Sequence, residues 1–270
     1  MQDKKDMVSI VILVHNASGY AKHTLLSLRK TETRIPYEVI VLDNASNQRT
    51  QHMLVKLKQK GYIDKLLLSD ENTLFSKGNN IAVREASDQS QYILLLNSDI
   101  EIRNKKWLDA MMRIHQTGSK GGGITALGCS SLNDNRPDGF CFLVDKALYT
   151  KHYLNEKYAW FYSLARLSAD VINTEGCQVN TIRHYDNLLY HYGGKSGRIR
   201  NASGMDTDES EVTGWFRGKK CNLWDGIEVD ERDICYNPYS VFNIKAKCRV
   251  LIKPYRKKLK KWIIKHFKKN

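Results

Sequence analysis

The tripeptide Asn97-Ser98-Asp99 ends a short apolar run, Tyr92-Ile93-Leu94-Leu95-Leu96. A run of that length reads as a strand covered on both faces. Its polar end then falls at the carboxyl terminus of the strand, where open α/β sheets bind their ligands. A carboxylate delivered there, Asp99, is suited to hold a divalent cation against a diphosphate. Two other apolar runs end in the same way, 8–14 on His15-Asn16 and 38–42 on Asp43-Asn44. A further stretch, His191-Tyr192-Gly193-Gly194-Lys195-Ser196, sets an imidazole, a lysine and a serine around a glycine pair. That group could add a metal ligand and phosphate contacts. Each feature alone has a plainer reading: Asp43-Asn44 as turn chemistry, a lone histidine as a hydrogen-bonded framework residue, Gly193-Gly194 as a turn.

The elements that must position these residues follow an alternating pattern. The strand over 8–14 is β-branched and apolar, and residues 20–31 carry helical spacing through Tyr20, Leu25 and Leu28. After the strand at 38–42, Ser46 is placed to cap a helix reaching about Lys60. A strand at 65–68, a helix opened by Lys77-Gly78-Asn79-Asn80 and the strand at 92–96 come next, then a helix over 106–115. Strands alternating with helices at this spacing predict a doubly wound, mostly parallel α/β sheet. Residues 140–144 form a further strand, residues 158–169 are aromatic and helix-like, and 197–214 is polar and loop-like.

Composition narrows the function classes. Of the 270 residues 41% are hydrophobic, enough for a sizeable core, and no apolar stretch is long enough to span a bilayer. The six cysteines show neither a C-x-x-C pair nor zinc-ligand spacing, which favours free thiols in a reducing cytosol. The net charge of +14 is local: residues 245–270 hold twelve Lys or Arg and no acid, and without them 31 basic residues face 29 acidic ones. From Pro254, the apolar residues Tyr255, Leu259, Trp262, Ile263 and Phe267 share one helical face, with lysines over most of the remainder. A basic amphipathic C-terminal helix of this kind predicts attachment to an anionic membrane surface; docking of the same face on the body is the alternative. Nucleic acid is not an expected partner, since the sequence shows no named binding module. The chain divides on this reading into 1–197, a loop-rich 198–244 and the tail 245–270.

Taken in order, the motifs resemble the family 2 glycosyltransferases of the GT-A fold. Val8 to Val14 with His15-Asn16 is similar to the opening strand and nucleotide loop of that family, and Asp43-Asn44-Ala45-Ser46 to its second nucleotide-binding loop. Asn72-Thr73-Leu74-Phe75-Ser76-Lys77-Gly78-Asn79-Asn80 resembles the Asn-x-Gly-Phe-x-x-Gly-Asn-Asn signature of the rhamnosyltransferase-like branch. Leu96-Asn97-Ser98-Asp99 stands where that branch carries its version of the Asp-x-Asp metal motif. Asp138-Gly139-Phe140-Cys141-Phe142-Leu143 resembles the strand lining the acceptor side, and His191 to Ser196 the closing His motif.

The resemblance implies a GT-A nucleotide-diphospho-sugar transferase fold, with Val14, Asn16, Asp43, Lys77, Asn80, Asn97 and Ser98 at the nucleotide-sugar. Asp99, helped by His191, would hold Mg2+ or Mn2+ on the diphosphate. The implied donor is UDP- or dTDP-linked, the acceptor a glycan or lipid-linked, and the location the cytoplasmic face of the membrane. An inverting transfer also needs a base for the acceptor hydroxyl. The family's Glu-Asp-x-Asp box would fall where this chain reads Ser163-Leu164-Ala165-Arg166, with no carboxylate. Asp138 and Asp170 are the expected candidates; Glu156 and the acids at 225, 228, 230 and 231 lie at less suitable spacing. Three readings stay open: a carboxylate from elsewhere serves as base, the local alignment is shifted, or the protein binds nucleotide-sugar without efficient transfer.

Overall fold

A computed structural model describes residues 6–118, 122–130, 133–195 and 201–236, together with positions 241, 243, 244 and 248. The chain falls into two compact units, Met1–Ile234 and Cys235–Asn270. The basic helix expected from Pro254 lies outside the described residues. Among the described residues, no helix is long and apolar enough to cross a membrane.

The first unit runs β1 (Val8–Val14), α1 (Ser18–Leu28), β2 (Tyr37–Asn44), α2 (Gln48–Gln59), β3 (Lys65–Ser69), α3 (Leu74–Val83) and β4 (Tyr92–Asn97). It continues through β5 (Ile100–Ile102), α4 (Trp107–Gly118), β6 (Gly123–Leu127), β7 (Cys141–Asp145), α5 (Lys146–His152) and α6 (Ser163–Asn173). Then come β8 (Gln178–Arg183), β9 (Leu189–His191), α7 (Glu209–Trp215) and β10 (Asn222–Asp225). Eight strands form one sheet in the order β10-β8-β6-β7-β4-β1-β2-β3. All neighbours pair in parallel except β7, which is antiparallel to both β4 and β6. The doubly wound, mostly parallel α/β sheet is therefore present, and β5 pairs with β9 in a separate antiparallel ribbon.

Burial on both faces explains the unbroken apolar strands. Val8, Ile10, Ile12 and Val14 of β1 enter one core layer with Leu25 of α1, Leu54 of α2 and Trp107 of α4. Val11 points the other way, into a layer with Val83 of α3, Tyr149 of α5 and Leu167 of α6. The period of two along the strand thus feeds two cores at once, each buried aliphatic side chain contributing about 1.5–3 kcal/mol.

Three boundaries differ from the sequence reading, each for a local reason. Asn47, not Ser46, caps α2: its Oδ1 accepts from Thr50 N at 3.0 Å, while Ser46 Oγ accepts from Asn16 N at 2.7 Å. Helix α3 starts at Leu74 rather than Lys77, because the Ala159 carbonyl accepts from Phe75 N and Ser76 N and so closes an extra turn. The aromatic stretch 158–162 is not helical: it packs on that same helix end, with Ser76 Oγ donating to Tyr158 O at 2.6 Å, and α6 begins only at Ser163.

Candidate functional site

A cleft of about 700 Å³ opens over the carboxyl ends of β1, β2 and β4. Its lining includes Leu13, His15, Asn44, Asn72 and Phe75, then Asn97, Ser98 and Asp99, and further Asp138, Tyr185, His191 and Lys195. The aromatics Trp160, Phe161 and Tyr162 with the first turn of α6 close it.

Asp99 is fixed from several directions in the turn between β4 and β5. Thr24 Oγ1 of α1 donates to Ser98 O at 2.9 Å and accepts from Ile100 N at 3.0 Å, pinning the turn on both sides. Tyr192 N donates to Asp99 O at 3.0 Å. The β5–β9 ribbon pairs Ile100 with His191, which carries the imidazole to the carboxylate: His191 Nε2 lies 3.2 Å from Asp99 Oδ1. Lys195 N donates to Asp99 Oδ2 at 3.3 Å. His191 also stacks on Phe140, ring centroids 4.5 Å apart, which holds its plane. Asp99 is only 4% exposed, so its charge sits in a partly desolvated corner where interactions are stronger than in water.

The cleft lining carries a second carboxylate, Asp138, near His191. Burial pushes the Asp138 carboxyl above its usual range, and nearby His191 works against that shift. Tyr185, close by, is pushed up to about 12 by burial, helped by Asp186 and Asp138. Arg136 is buried, paired with Asp134 at 2.9 Å and with Glu209 at the start of α7. Burial opposes its charge, yet those carboxylates hold its pKa above the usual value. The first turn of α6 presents Ser163, Leu164 and Ala165 to the cleft.

The remaining sequence-predicted residues stand elsewhere. Val14 is fully buried in the core. Asn16 and Asp43 lie outside the cleft lining: Asn16 Oδ1 accepts from Asn47 N at 2.9 Å, and Asp43, fully buried, accepts through Oδ2 from Ser46 N and Gln51 Nε2. Asp43 Oδ1 is buried without a hydrogen-bond partner. Lys77 pairs with Glu71 at 2.8 Å on the surface. Asn80 is buried, donating to Leu154 O and Glu156 and accepting from Tyr149 and Leu154 N, a full set of framework bonds. Asp170 pairs with Arg166 at 2.9 Å and lines a different, smaller groove. Ser196 lies outside the described residues.

The cleft instead contains the neighbours of two expected residues. His15 Nδ1 donates to Asn44 O at 2.8 Å and its Nε2 lies 3.0 Å from Asn16 Nδ2, so both ring nitrogens are engaged and the ring is fixed in place. Asn44 Nδ2 donates to Asn72 Oδ1 at 2.8 Å while Asn44 Oδ1 accepts from Thr73 N, clamping the loop before α3. Arg136 and Glu209 carried no signal in the sequence, since neither stands in a recognisable motif.

The sheet order, the strand-end cleft and its Asn-Ser-Asp corner define a glycosyltransferase scaffold of the GT-A type. The description "Glycosyl transferase family 2" matches residues 9–163, more than half the chain, and the chain belongs to that family. No curated protein matches it. Similar solved structures include S. aureus TarS 1-349, at 17% identity and TM-score 0.52, covering 78% of this chain and 69% of that one. Its complex with UDP-GlcNAc gives 16% identity and TM-score 0.50 over 78% and 70%. The mannosyltransferase PcManGT from Pyrobaculum calidifontis, in complex with GDP-Man and Mn2+, gives 14% and 0.50 over 64% and 56%. The chain spans 57% of TarS 1-349 as matched in its UDP complex and 35% of another TarS structure. At these identities the likeness is one of fold.

Proposed function

We propose that the chain transfers a sugar, with inversion, from a UDP- or dTDP-linked donor to a glycan or lipid-linked acceptor. The observation that carries this reading is the pairing of Asp99 with His191 at the sheet edge of the 700 Å³ cleft. That donor set suits a divalent cation, Mg2+ or Mn2+: Asp99 offers a hard oxygen and His191 a nitrogen. Among the described residues no group of three His, Cys, Asp or Glu could hold a metal. An ion there would complete its shell with phosphate oxygens and water, as Mg2+ usually does. When bound, the cation neutralises charge building on the departing diphosphate. The fold is shared with a mannosyltransferase solved with GDP-Man and Mn2+, which supports the use of a divalent cation.

Within the cleft, the chain's own groups have distinct tasks. Asn97 and Ser98 border the donor, and Lys195 adds a positive group beside the diphosphate. Asp138 is the base: it takes the acceptor hydroxyl proton as that oxygen bonds to the anomeric carbon and the carbon–oxygen bond to the diphosphate breaks. Its raised pKa makes it a better base than an exposed carboxylate, and Asp170, in its separate groove, is not needed. Residues 245–270 would keep the enzyme at the cytoplasmic membrane face beside its acceptor, with 1–197 carrying donor and acceptor sites and 198–244 as an extension.

A second reading has its own support. The turn of α6 that faces the cleft presents Ser163, Leu164 and Ala165 and no acid, which favours a protein that binds nucleotide-sugar without efficient transfer. Nucleoside diphosphate release across a panel of donors separates the two. The donor corner is tested by Asp99→Ala. Loss of one charge-assisted contact, about 1.5–3 kcal/mol, should weaken UDP binding in Mn2+ by roughly 10- to 100-fold. Unchanged affinity would remove Asp99 from the site.

A further inference from the structure

We propose that the outer face of α2 is a docking surface for anionic phospholipid, separate from the C-terminal tail and independent of the transfer reaction. A groove of about 560 Å³ between α1 and α2 is lined by Lys22, Arg49, His52, Lys56 and Lys60, with Met53 and Leu57 among them. No acidic residue lines it. Among the described residues none of those five basic side chains is hydrogen-bonded or ion-paired, whereas Lys65, Lys77, Lys105 and Lys106 all have carboxylate partners.

The spacing explains why a surface, rather than a single phosphate, is the ligand. Arg49, His52, Lys56 and Lys60 stand at intervals of three, four and four on one helical stripe. At 1.5 Å rise per residue they span roughly 17 Å along the axis. A lone phosphate is bound by converging donors; a line of flexible, exposed cations instead matches a plane of many headgroups. Met53 and Leu57 pack into the core at the base of the groove, and Val55 beside Lys56 is 37% exposed. An exposed aliphatic group such as Val55 beside the cations enters the headgroup region of a bilayer and has no counterpart on a phosphodiester backbone, which argues for lipid over nucleic acid. With the tail set aside, the sequence is nearly balanced in charge. The stripe is therefore a local concentration rather than part of a general excess.

The test uses the full chain, cosedimented with vesicles of phosphatidylcholine alone or with about 30% phosphatidylglycerol. Each Lys or Arg near such a surface is worth roughly fivefold in partitioning, so Arg49→Gln with Lys56→Gln should weaken binding to the anionic vesicles about 20-fold. The swap Arg49→Lys with Lys56→Arg should retain it. An equal charge change elsewhere, Lys157→Gln with Arg232→Gln, should leave binding near wild type, and circular dichroism should show every variant folded. Unchanged partitioning of the Arg49/Lys56 variant would overturn the proposal. So would an equal loss in the control, or a loss confined to retention on duplex DNA with vesicle binding intact.

Discussion

Replacing Asp138 by Asn separates catalysis from folding, because the two should move in opposite directions. The Asp138 carboxyl is held above its usual range by burial. A carboxylate whose folded-state pKa is raised binds its proton more tightly in the native state than in the unfolded chain. Its contribution to stability is therefore complete below the unfolded pKa and is lost as pH rises through the folded value. At pH 7 the wild type bears the cost of a charged group in a partly desolvated wall, and the isosteric amide removes it. Asp138→Asn should melt at the same temperature or higher at neutral pH, the difference closing as pH falls into the ordinary carboxylate range. Transfer should respond in the other sense. A positioned general base is worth about 10²- to 10⁴-fold, or roughly 3–5 kcal/mol of barrier, so kcat should drop by that factor while UDP affinity stays unchanged. In the wild type, kcat should rise with pH through the Asp138 titration, and this limb should vanish in the variant. The assay is acceptor-dependent nucleoside diphosphate release, with donor affinity by calorimetry and melting by circular dichroism from acid to neutral pH. A kcat within about threefold of wild type would refute the assignment of the base, as would a loss appearing only in KM with donor affinity.

Two smaller perturbations test the placement of neighbouring groups. Asp170→Ala breaks an i,i+4 pair with Arg166 in a groove apart from the cleft. It should cost about 0.5 kcal/mol or less with no change in kcat, and a tenfold loss of activity would put the base back on α6. Gly78→Ala would bring a Cβ to 2.7 Å from Leu13 Cδ1 and 2.9 Å from Thr73 Oγ1. Pushing α3 off β1 in this way should cost about 1–3 kcal/mol by urea denaturation, and an unshifted midpoint would mean that Leu13 simply changes rotamer.

The sheet was legible because burial on both faces writes itself into the residue types. The strand-like runs ending at Val14, Leu42 and Leu96 match β1, β2 and β4 closely, since a strand flanked by helices on two sides has no polar face to show. Short elements escaped: β5 and β9 have three residues each, too few for any period, and exist because Thr24 and Tyr192 fix the turn around Asp99. Caps escaped for a different reason. Ser46 and Asn47 are both good N-cap types, and the choice was made by Asn16 N, thirty residues upstream, which occupies Ser46 Oγ. Nothing within the local window records that competition.

The site shows the same division between residue type and residue orientation. That polar residues gather at the ends of β1, β2 and β4 could be read from the sequence; which of them line the cleft could not. Asn16 and Asn80 bond neighbouring loops and Asp43 lies behind the lining with one oxygen unpartnered, while His15 and Asn44, each one position away, line the cleft and bond loops as well. Both tasks call for the same chemistry, an amide or carboxylate able to bond backbone groups, so polarity alone does not separate scaffold from contact. The consequence for mechanism is specific. With Asp170 tied to Arg166 and the first turn of α6 presenting Ser163, Leu164 and Ala165, Asp138 and Glu209 are the carboxylates besides Asp99 among the described residues that line the cleft. Glu209 is already paired with the buried guanidinium of Arg136, and taking up a proton would weaken that ion pair. Asp138 carries no such obligation, and its elevated pKa already favours taking a proton. On the proposed transfer reading the base lies in the loop that leads into β7 rather than on α6, and His191, stacked on Phe140 and paired with Asp99, links it to the donor corner.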